Sequence, residues 1–173
     1  MNHKDSFPRA INPPSESVVN IDSDLIDKAM EVSRISPRRR VILPFHKSSD
    51  DTLQRMLNAL QPGSYVQPHR HKVPPKAESI IVLRGAICYI TFKDNGDLDK
   101  KIILTANSAI TGIDTEPGIY HTFFALEKDT VLFEVKPGPY SPVTDKDFAI
   151  WAPSENADEA VEYLNKLYDL AKI

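Results

Sequence analysis

Cysteine is almost absent from this chain, and its scarcity limits how the protein can be stabilised. Cys88 is the single cysteine in 173 residues, so no disulfide can form within the chain, and nothing in the composition requires an oxidising compartment. The residue lies in the apolar run 86–90, which favours a small buried side chain over a reactive thiol.

Long apolar runs and a strong charge of either sign are also missing. No segment approaches the roughly 18 apolar residues of a membrane-spanning helix, and no apolar stretch follows the charged N-terminus, so no signal peptide is expected. Lys and Arg total 21 against 24 Asp and Glu, a net charge of −3, which offers no basic surface for nucleic acid or an anionic membrane. We therefore expect a cytoplasmic protein with neither partner.

The hydrophobic pattern divides the chain into four parts. Residues 1–20 are rich in proline and polar residues and predict a flexible tail. Residues 21–50 predict a short amphipathic helix, over about 22–33, and a lead-in segment. Residues 51–153 alternate with a period of two between Gly and Pro turns, which predicts an all-β barrel. Residues 154–173 carry a helical apolar stripe and predict a C-terminal helix.

About eight short strands are predicted within the barrel segment, and the Asn95-Gly96 step predicts a hairpin turn. The predicted strands cover residues 53–60, 64–71, 79–83, 86–92, 101–104, 109–113, 122–126 and 130–135.

Three of the five histidines and one glutamate form a pattern that favours a metal site. Side chains alternate along a strand, so His69 and His71 share one face while Arg70 faces the other way. Paired histidines in a β protein are more often hydrogen-bonded surface residues than ligands. Here Glu78 begins the next strand and His121 precedes another, so both could enter the same cavity and complete the coordination of one ion.

The spacing of these residues resembles the first motif of the cupin superfamily, a glycine, His-x-His, a glutamate and a second glycine. Gly63, His69, His71, Glu78 and Gly85 stand in that order, with six residues rather than three or four between His71 and Glu78. The resemblance implies a jelly-roll barrel, the cupin double-stranded β-helix, with short helices at its ends. It also implies that the glutamate is a ligand.

The second cupin motif is matched more loosely. Gly112 is followed by Pro117, Gly118 and His121, and Ala125 replaces the usual asparagine. That asparagine is not a ligand in the motif, so the four candidate ligands remain.

Several longer blocks are similar to the WbuC family of cupin-fold metalloproteins. This resemblance implies a bacterial cytoplasmic protein, whose relatives often lie among genes for O-antigen and other surface polysaccharides. The cupin resemblance also implies a homodimer. The similar blocks are residues 57–66, 68–71, 82–85, 132–140 and 144–153.

Three imidazoles and one carboxylate can bind one divalent ion of Fe, Mn, Ni, Co or Zn. Since the histidines must be neutral and Glu78 ionised, we expect metal occupancy to fall in acid. The leading hypothesis is an isomerase or epimerase of a sugar or sugar-nucleotide in O-antigen or surface polysaccharide synthesis, with the metal as Lewis acid. A non-catalytic module that binds or senses a small molecule, such as a carbohydrate, and an Fe(II)-dependent dioxygenase are the alternatives.

Four further residues are candidates for substrate contacts. Strand alternation places Tyr65 and Gln67 on the face of the two histidines, where they could also simply line the barrel. Arg55 could clamp an anion if its side of the strand faces the cavity, and would be solvated otherwise. Glu134 could be a second acid–base group or an exposed residue.

Four basic residues precede the barrel segment, and each has two interpretations. Arg38, Arg39 and Arg40 are typical of a solvated run, although one or two of them could reach an anionic ligand. His46 is more typical of a surface or hydrogen-bonded histidine than of a ligand.

Overall fold

The computed structural model describes residues 7–172, which contain two helices and ten strands. The helices are α1 (Ser23–Ile35) and α2 (Ala160–Ala171). The strands are β1 (Arg40–Pro44), β2 (Leu53–Leu60), β3 (His69–Arg70), β4 (Glu78–Arg84), β5 (Ala86–Phe92), β6 (Leu98–Thr105), β7 (Gly112–Thr115), β8 (Tyr120–Ala125), β9 (Thr130–Pro137) and β10 (Asp147–Phe148).

The strands form two antiparallel sheets of five strands each, ordered β1-β2-β9-β4-β7 and β10-β3-β8-β5-β6. Their inner faces share one apolar cluster, to which Ile80 and Leu132 contribute from the first sheet and Tyr89 and Phe123 from the second. Non-consecutive strands lie side by side in both sheets, as in a jelly roll. The predicted all-β barrel with a helix near each end is confirmed.

Each helix covers the outer face of one sheet. Ala29 and Met30 of α1 pack on Leu57 and Val131 of the first sheet, while α2 packs on the second sheet through residues such as Leu164. The strand β5 is therefore buried on both faces along its whole length. Within residues 7–172, neither helix has the length and apolar character needed to cross a lipid bilayer.

The first helix begins and ends where its sequence signals predict. The side chain of Asp22 accepts a hydrogen bond from the Leu25 N–H at 3.0 Å and caps the N-terminus. The helix ends at Ile35, two residues before Pro37, which cannot continue a helix without losing a hydrogen bond.

The segment predicted as a strand over residues 64–71 is regular only at His69 and Arg70. Pro68 has no N–H to donate to a ladder, and the carbonyl of Val66 accepts a hydrogen bond from the Thr122 hydroxyl at 2.6 Å instead. The chain therefore enters β3 as an irregular segment, and strict alternation of side chains does not apply before Pro68.

The strands β1 and β10 were not predicted, and neither was the chain segment that lies beside β1. The strand β1 pairs antiparallel with β2, and on its other edge Ala10 forms a parallel bridge to Ile42. Ile11 packs against the apolar cluster beneath α1. Residues 9–11 of the predicted tail thus extend this sheet edge, while residues 1–6 lie outside the described residues.

Replacing Gly85 with alanine should lower the free energy of unfolding by about 3 kcal/mol. The residue has φ +75°, and an added Cβ would lie 2.4 Å from the Thr130 hydroxyl and 3.0 Å from the Thr130 Cα, so steric overlap adds to the cost of a left-handed backbone. Gly118 has a similar φ of +83° with nothing within 4 Å of the added atom. Gly118→Ala should therefore cost only about 1 kcal/mol. Equal losses for the two variants in urea unfolding would contradict the steric explanation.

Candidate metal centre

Three histidines and one glutamate converge inside the barrel from both sheets. His69 on β3 pairs directly with His121 on β8, His71 follows two residues after His69, and Glu78 begins β4 in the opposite sheet. One ring nitrogen from each histidine lies within 4.8 Å of the other two. The Glu78 oxygens lie 3.5 Å from His71 Nε2 and 3.2 Å from His121 Nε2.

The three imidazoles are each oriented by a main-chain carbonyl that contacts Nδ1. A carbonyl oxygen can only accept, so Nδ1 carries the proton and the Nε2 lone pair is left free to bind a metal. The pairs are His69 with Gln67 at 2.9 Å, His121 with Ile119 at 2.9 Å, and His71 with Asp145.

Three buried polar atoms of the four candidate ligands lack hydrogen-bond partners in the described part of the chain, as expected for atoms that bind a cation. His71 Nε2, His121 Nε2 and Glu78 Oε2 are buried and have no partner among residues 7–172, although buried polar groups are nearly always paired. A divalent ion between them would satisfy all three atoms at once. The donor set of three imidazole nitrogens and one carboxylate fits Fe, Mn, Ni, Co or Zn.

The electrostatics of the site favour the protonation state that binds a metal. Burial, together with the charge of Lys146, holds the pKa of His69 well below its ordinary value. Burial alone would raise the pKa of Glu78, but His121 and His71 outweigh it and hold the pKa well below the usual range. At neutral pH, His69 is therefore neutral and Glu78 is ionised, as metal binding requires.

The candidate ligands open into a cavity with a volume of about 670 Å³, which lies within the usual range for small-molecule sites. His69 and Glu78 form part of its wall. The remaining wall combines inward-facing residues of β2 and β9 with polar residues from the chain ends and from the loop before β10. Its polar and charged residues include Arg9, Arg38, Arg40, Gln54, Asn58, Glu134, Lys136, Asp145, Lys146 and Glu155.

Comparisons with known proteins agree with this architecture. A family model described as a domain of unknown function (DUF6016) matches residues 21–104, slightly less than half of the chain, and no curated protein sequence matches. The capsular polysaccharide assembling protein CapF from Staphylococcus aureus is 20% identical with a TM-score of 0.51, over 62% of this chain and 29% of CapF. This chain has the cupin fold.

Two further solved structures match over a similar share of this chain. KdgF from Halomonas sp. is 17% identical with a TM-score of 0.47, over 62% of this chain and 85% of KdgF. The Cnp3 cupin domain of Schizosaccharomyces pombe is 12% identical with a TM-score of 0.45, over 57% of this chain and 64% of the other chain. At these identities the likeness concerns the fold, and the resemblance to the WbuC family stays a prediction.

A buried charge network adjoins the ligand cluster on the first sheet of the cupin barrel. Lys136 Nζ lies 2.9 Å from an Asp145 oxygen, 3.7 Å from Glu134 and 3.9 Å from Glu78. The Asn58 amide donates to the other Glu134 oxygen at 3.1 Å. Burial and the nearby Glu78 charge raise the pKa of Glu134 above its ordinary value, which is the direction that a carboxyl group needs in order to donate a proton as well as accept one.

Glu134 and Gln67 are the two predicted substrate residues that lie at the cavity of the cupin barrel. Glu134 is buried rather than exposed. The Gln67 side chain donates to the carbonyls of Ala149 and Ala152 at 3.2 and 3.4 Å, so it fastens the segment that covers β3. The main-chain carbonyl of Gln67 orients His69, and its side-chain N–H group is engaged by the two main-chain carbonyls rather than free for a ligand.

Tyr65 and Arg55 lie away from the cavity, which corrects the orientation predicted for Tyr65. Tyr65 packs edge-on against Tyr163 of α2 at 5.9 Å and donates to the Pro153 carbonyl at 2.8 Å, because the chain before Pro68 is not a regular strand. Arg55 is exposed on the outer face of β2, so it is solvated rather than placed to clamp an anion in the cavity.

The basic residues before the barrel are divided between solvent and cavity. Arg40 is buried and donates to the Tyr65 carbonyl at 2.7 Å and to Glu155, while Arg39 is not part of the cavity wall. His46 accepts a hydrogen bond from the Arg55 N–H at 3.2 Å and stands apart from the metal ligands, as its hydrogen-bonded interpretation predicts.

Several cavity residues are not among those predicted from the sequence. Asn58 and Gln54 could have been found, because polar residues recur at every second or fourth position of an otherwise apolar β2. Lys136 could have been found by the same rule, since it shares a face with Glu134. No comparable signal indicates Asp145, Lys146 or Glu155, which lie in irregular segments.

Proposed function

We propose that this protein is a metal-dependent enzyme of the isomerase or epimerase type that acts on a sugar or sugar-nucleotide. The observation that carries the proposal is that one cavity is lined both by two of the candidate metal ligands, His69 and Glu78, and by a buried carboxyl group, Glu134. Isomerisation and epimerisation need a proton to leave one carbon and return to a neighbouring carbon or to the other face. Neither reaction needs an external oxidant or reductant.

A divalent ion bound by the quartet would polarise a carbonyl or hydroxyl oxygen of the ligand and so acidify the adjoining C–H bond. The residues of the chain would then move the proton. Glu134 is held by Asn58 through one oxygen, so its other oxygen, which lies 3.7 Å from Lys136 Nζ, can accept the proton and return it. The Lys136 ammonium stabilises Glu134 when it is ionised.

A hydroxyl-bearing ligand is supported by an unpaired acceptor in the same wall. Asn58 Oδ1 is buried without a hydrogen-bond partner among the described residues, and a ligand hydroxyl could donate to it. Of the proteins that share the fold, CapF is a capsular polysaccharide assembling protein, which makes carbohydrates the first ligands to test. A role in O-antigen synthesis and a homodimer remain predictions from the sequence resemblance.

The proposal is tested by following C–H exchange in heavy water. Metal-loaded protein would be incubated with a panel of nucleotide-linked and phosphorylated sugars, and deuterium incorporation would be measured by NMR. We expect incorporation at a carbon next to a carbonyl group of at least one sugar, with none after the metal is removed by chelation. Oxygen consumption with bound iron would instead favour a dioxygenase, and ligand binding without exchange would favour a binding or sensing module.

A further inference from the structure

The charged residues of the cavity are divided into an inner and an outer group. The inner group, beside the metal ligands, contains Lys136 and the carboxylates of Glu78, Glu134 and Asp145. The outer group contains four cations and one carboxylate, and its members are Arg9, Arg38, Arg40, Lys146 and Glu155.

Arg38 and Glu155 place one end of the outer group towards solvent, whereas Arg40 is buried and Lys146 lies close enough to His69 for its charge to lower the pKa of that histidine. The side chains of His71 and Glu78 are 2% and 4% exposed, whereas those of Arg38 and Glu155 are both 29% exposed. A ligand that reached the inner group from solvent would therefore pass the outer cations, and its remote end would stay beside them.

The single outer carboxylate does not neutralise the four cations. Glu155 forms an ion pair with Arg40 and accepts a hydrogen bond from Arg38 at 3.3 Å. Arg40 also donates to Ser64 at 3.1 Å, so its role is to hold the wall together. The Lys146 ammonium and the Arg9 guanidinium have no hydrogen-bond or ion-pair partner within residues 7–172.

We propose that Lys146, Arg38 and Arg9 form a subsite for a phosphoryl group, so that the ligand is a sugar phosphate or a nucleotide-linked sugar. This inference rests on the proposed function for the sugar part of the ligand. Three positive charges remain after Glu155 cancels one, which suits a phosphate dianion better than a single carboxylate. Arginine and lysine are also the side chains that most often bind phosphate oxygens.

The test measures ligand binding independently of turnover. Calorimetric titrations of the metal-loaded protein would use inorganic phosphate, a hexose phosphate, a hexuronic acid and a free hexose. We expect the two phosphates to bind, and Lys146→Gln or Arg38→Gln to weaken their binding at least about tenfold with unchanged bound metal. Arg55→Gln is the matched control, because it removes one positive charge from the outer face of β2, and it should leave phosphate binding unchanged.

The outcomes separate this inference from the proposed function. Phosphate binding that is unaffected in both Lys146→Gln and Arg38→Gln would overturn the subsite, as would tighter binding of the hexuronic acid than of the hexose phosphate. If the protein takes up no divalent metal but still binds phosphate in a way that depends on Lys146, the subsite is supported and the proposed metal-dependent enzyme is contradicted. Melting curves would establish that each variant is folded, and the partial exposure of Lys146 favours tolerance of its replacement.

Discussion

Replacing His121 with alanine should reduce the metal bound to the purified protein to less than about a tenth of the normal content. Removal of a residue that only orients a ligand typically costs about 10- to 100-fold in metal affinity, and loss of a ligand should cost at least as much. His121 lies on β8 opposite His69 of β3, and its Nε2 is one of the buried atoms without a hydrogen-bond partner among the described residues. Elemental analysis of the untagged protein is the measurement.

The barrel should stay folded in this variant although its stability will fall. His121 is buried and stacks on Tyr89 with ring centroids 5.6 Å apart, so truncation leaves a cavity that costs about 2–4 kcal/mol. Two sheets and three apolar clusters supply the remaining stability. Circular dichroism with thermal melting would establish that metal is lost from a folded protein.

Two further variants test whether metal loss is specific to the four assigned ligands. His46→Ala removes the histidine that lies at the cavity but outside the quartet, and it should keep its full metal content. Glu78→Gln removes a ligand charge with little change of volume, and it should lose metal as His121→Ala does. Full metal content in either His121→Ala or Glu78→Gln would show that the ligand assignment is wrong.

Replacing Glu134 with glutamine should lower kcat by about 100- to 10,000-fold, the usual contribution of a general acid or base. Glutamine keeps the shape of the side chain and can still accept the Asn58 hydrogen bond, but it cannot accept and return a proton. Bound metal should be unchanged, because Glu134 lies beside the quartet without belonging to it. The measurements are kcat on the sugar that shows deuterium exchange, and metal content.

The control for this prediction is Glu31→Gln, which removes an exposed carboxylate from α1 and should leave kcat unaltered. Normal turnover in Glu134→Gln would exclude Glu134 as the acid–base group. Loss of metal together with turnover would show instead that Glu134 supports the metal site, and the proposed proton transfer would then need another residue.

Two of the four metal ligands could be predicted from local geometry, and the other two from their positions in the cupin motifs. His69 and His71 share a face in any barrel in which this segment is extended, since side chains alternate along an extended chain. The glycines around them follow the cupin motif, and Gly85 has the positive φ that a turn between β4 and β5 requires. The predicted cupin fold is confirmed, and the structure brings the four predicted ligands together.

The substrate residues were predicted less well, for two separate reasons. Tyr65 was placed by alternation across a segment that Pro68 makes irregular, so the rule was applied where the backbone does not obey it. For Arg55 the predicted strand was correct, but the sequence did not show which face of β2 points into the cavity. Strands that lie beneath a helix carry apolar groups on both faces, so hydrophobic alternation does not distinguish the barrel interior from the surface beneath α1 or α2.

By itself the sequence determined the all-β class of the fold and the shared face of His69 and His71, because both follow from short-range periodicity, and the cupin motifs indicated Glu78 and His121. Only the tertiary structure decided which strand faces enclose the cavity and which charges meet there. Arg40 and Glu155 are 115 residues apart in the chain, and Lys136 contacts Asp145 from a different structural segment. Such pairs are set by the packing of the two sheets and their connections, which no local pattern encodes.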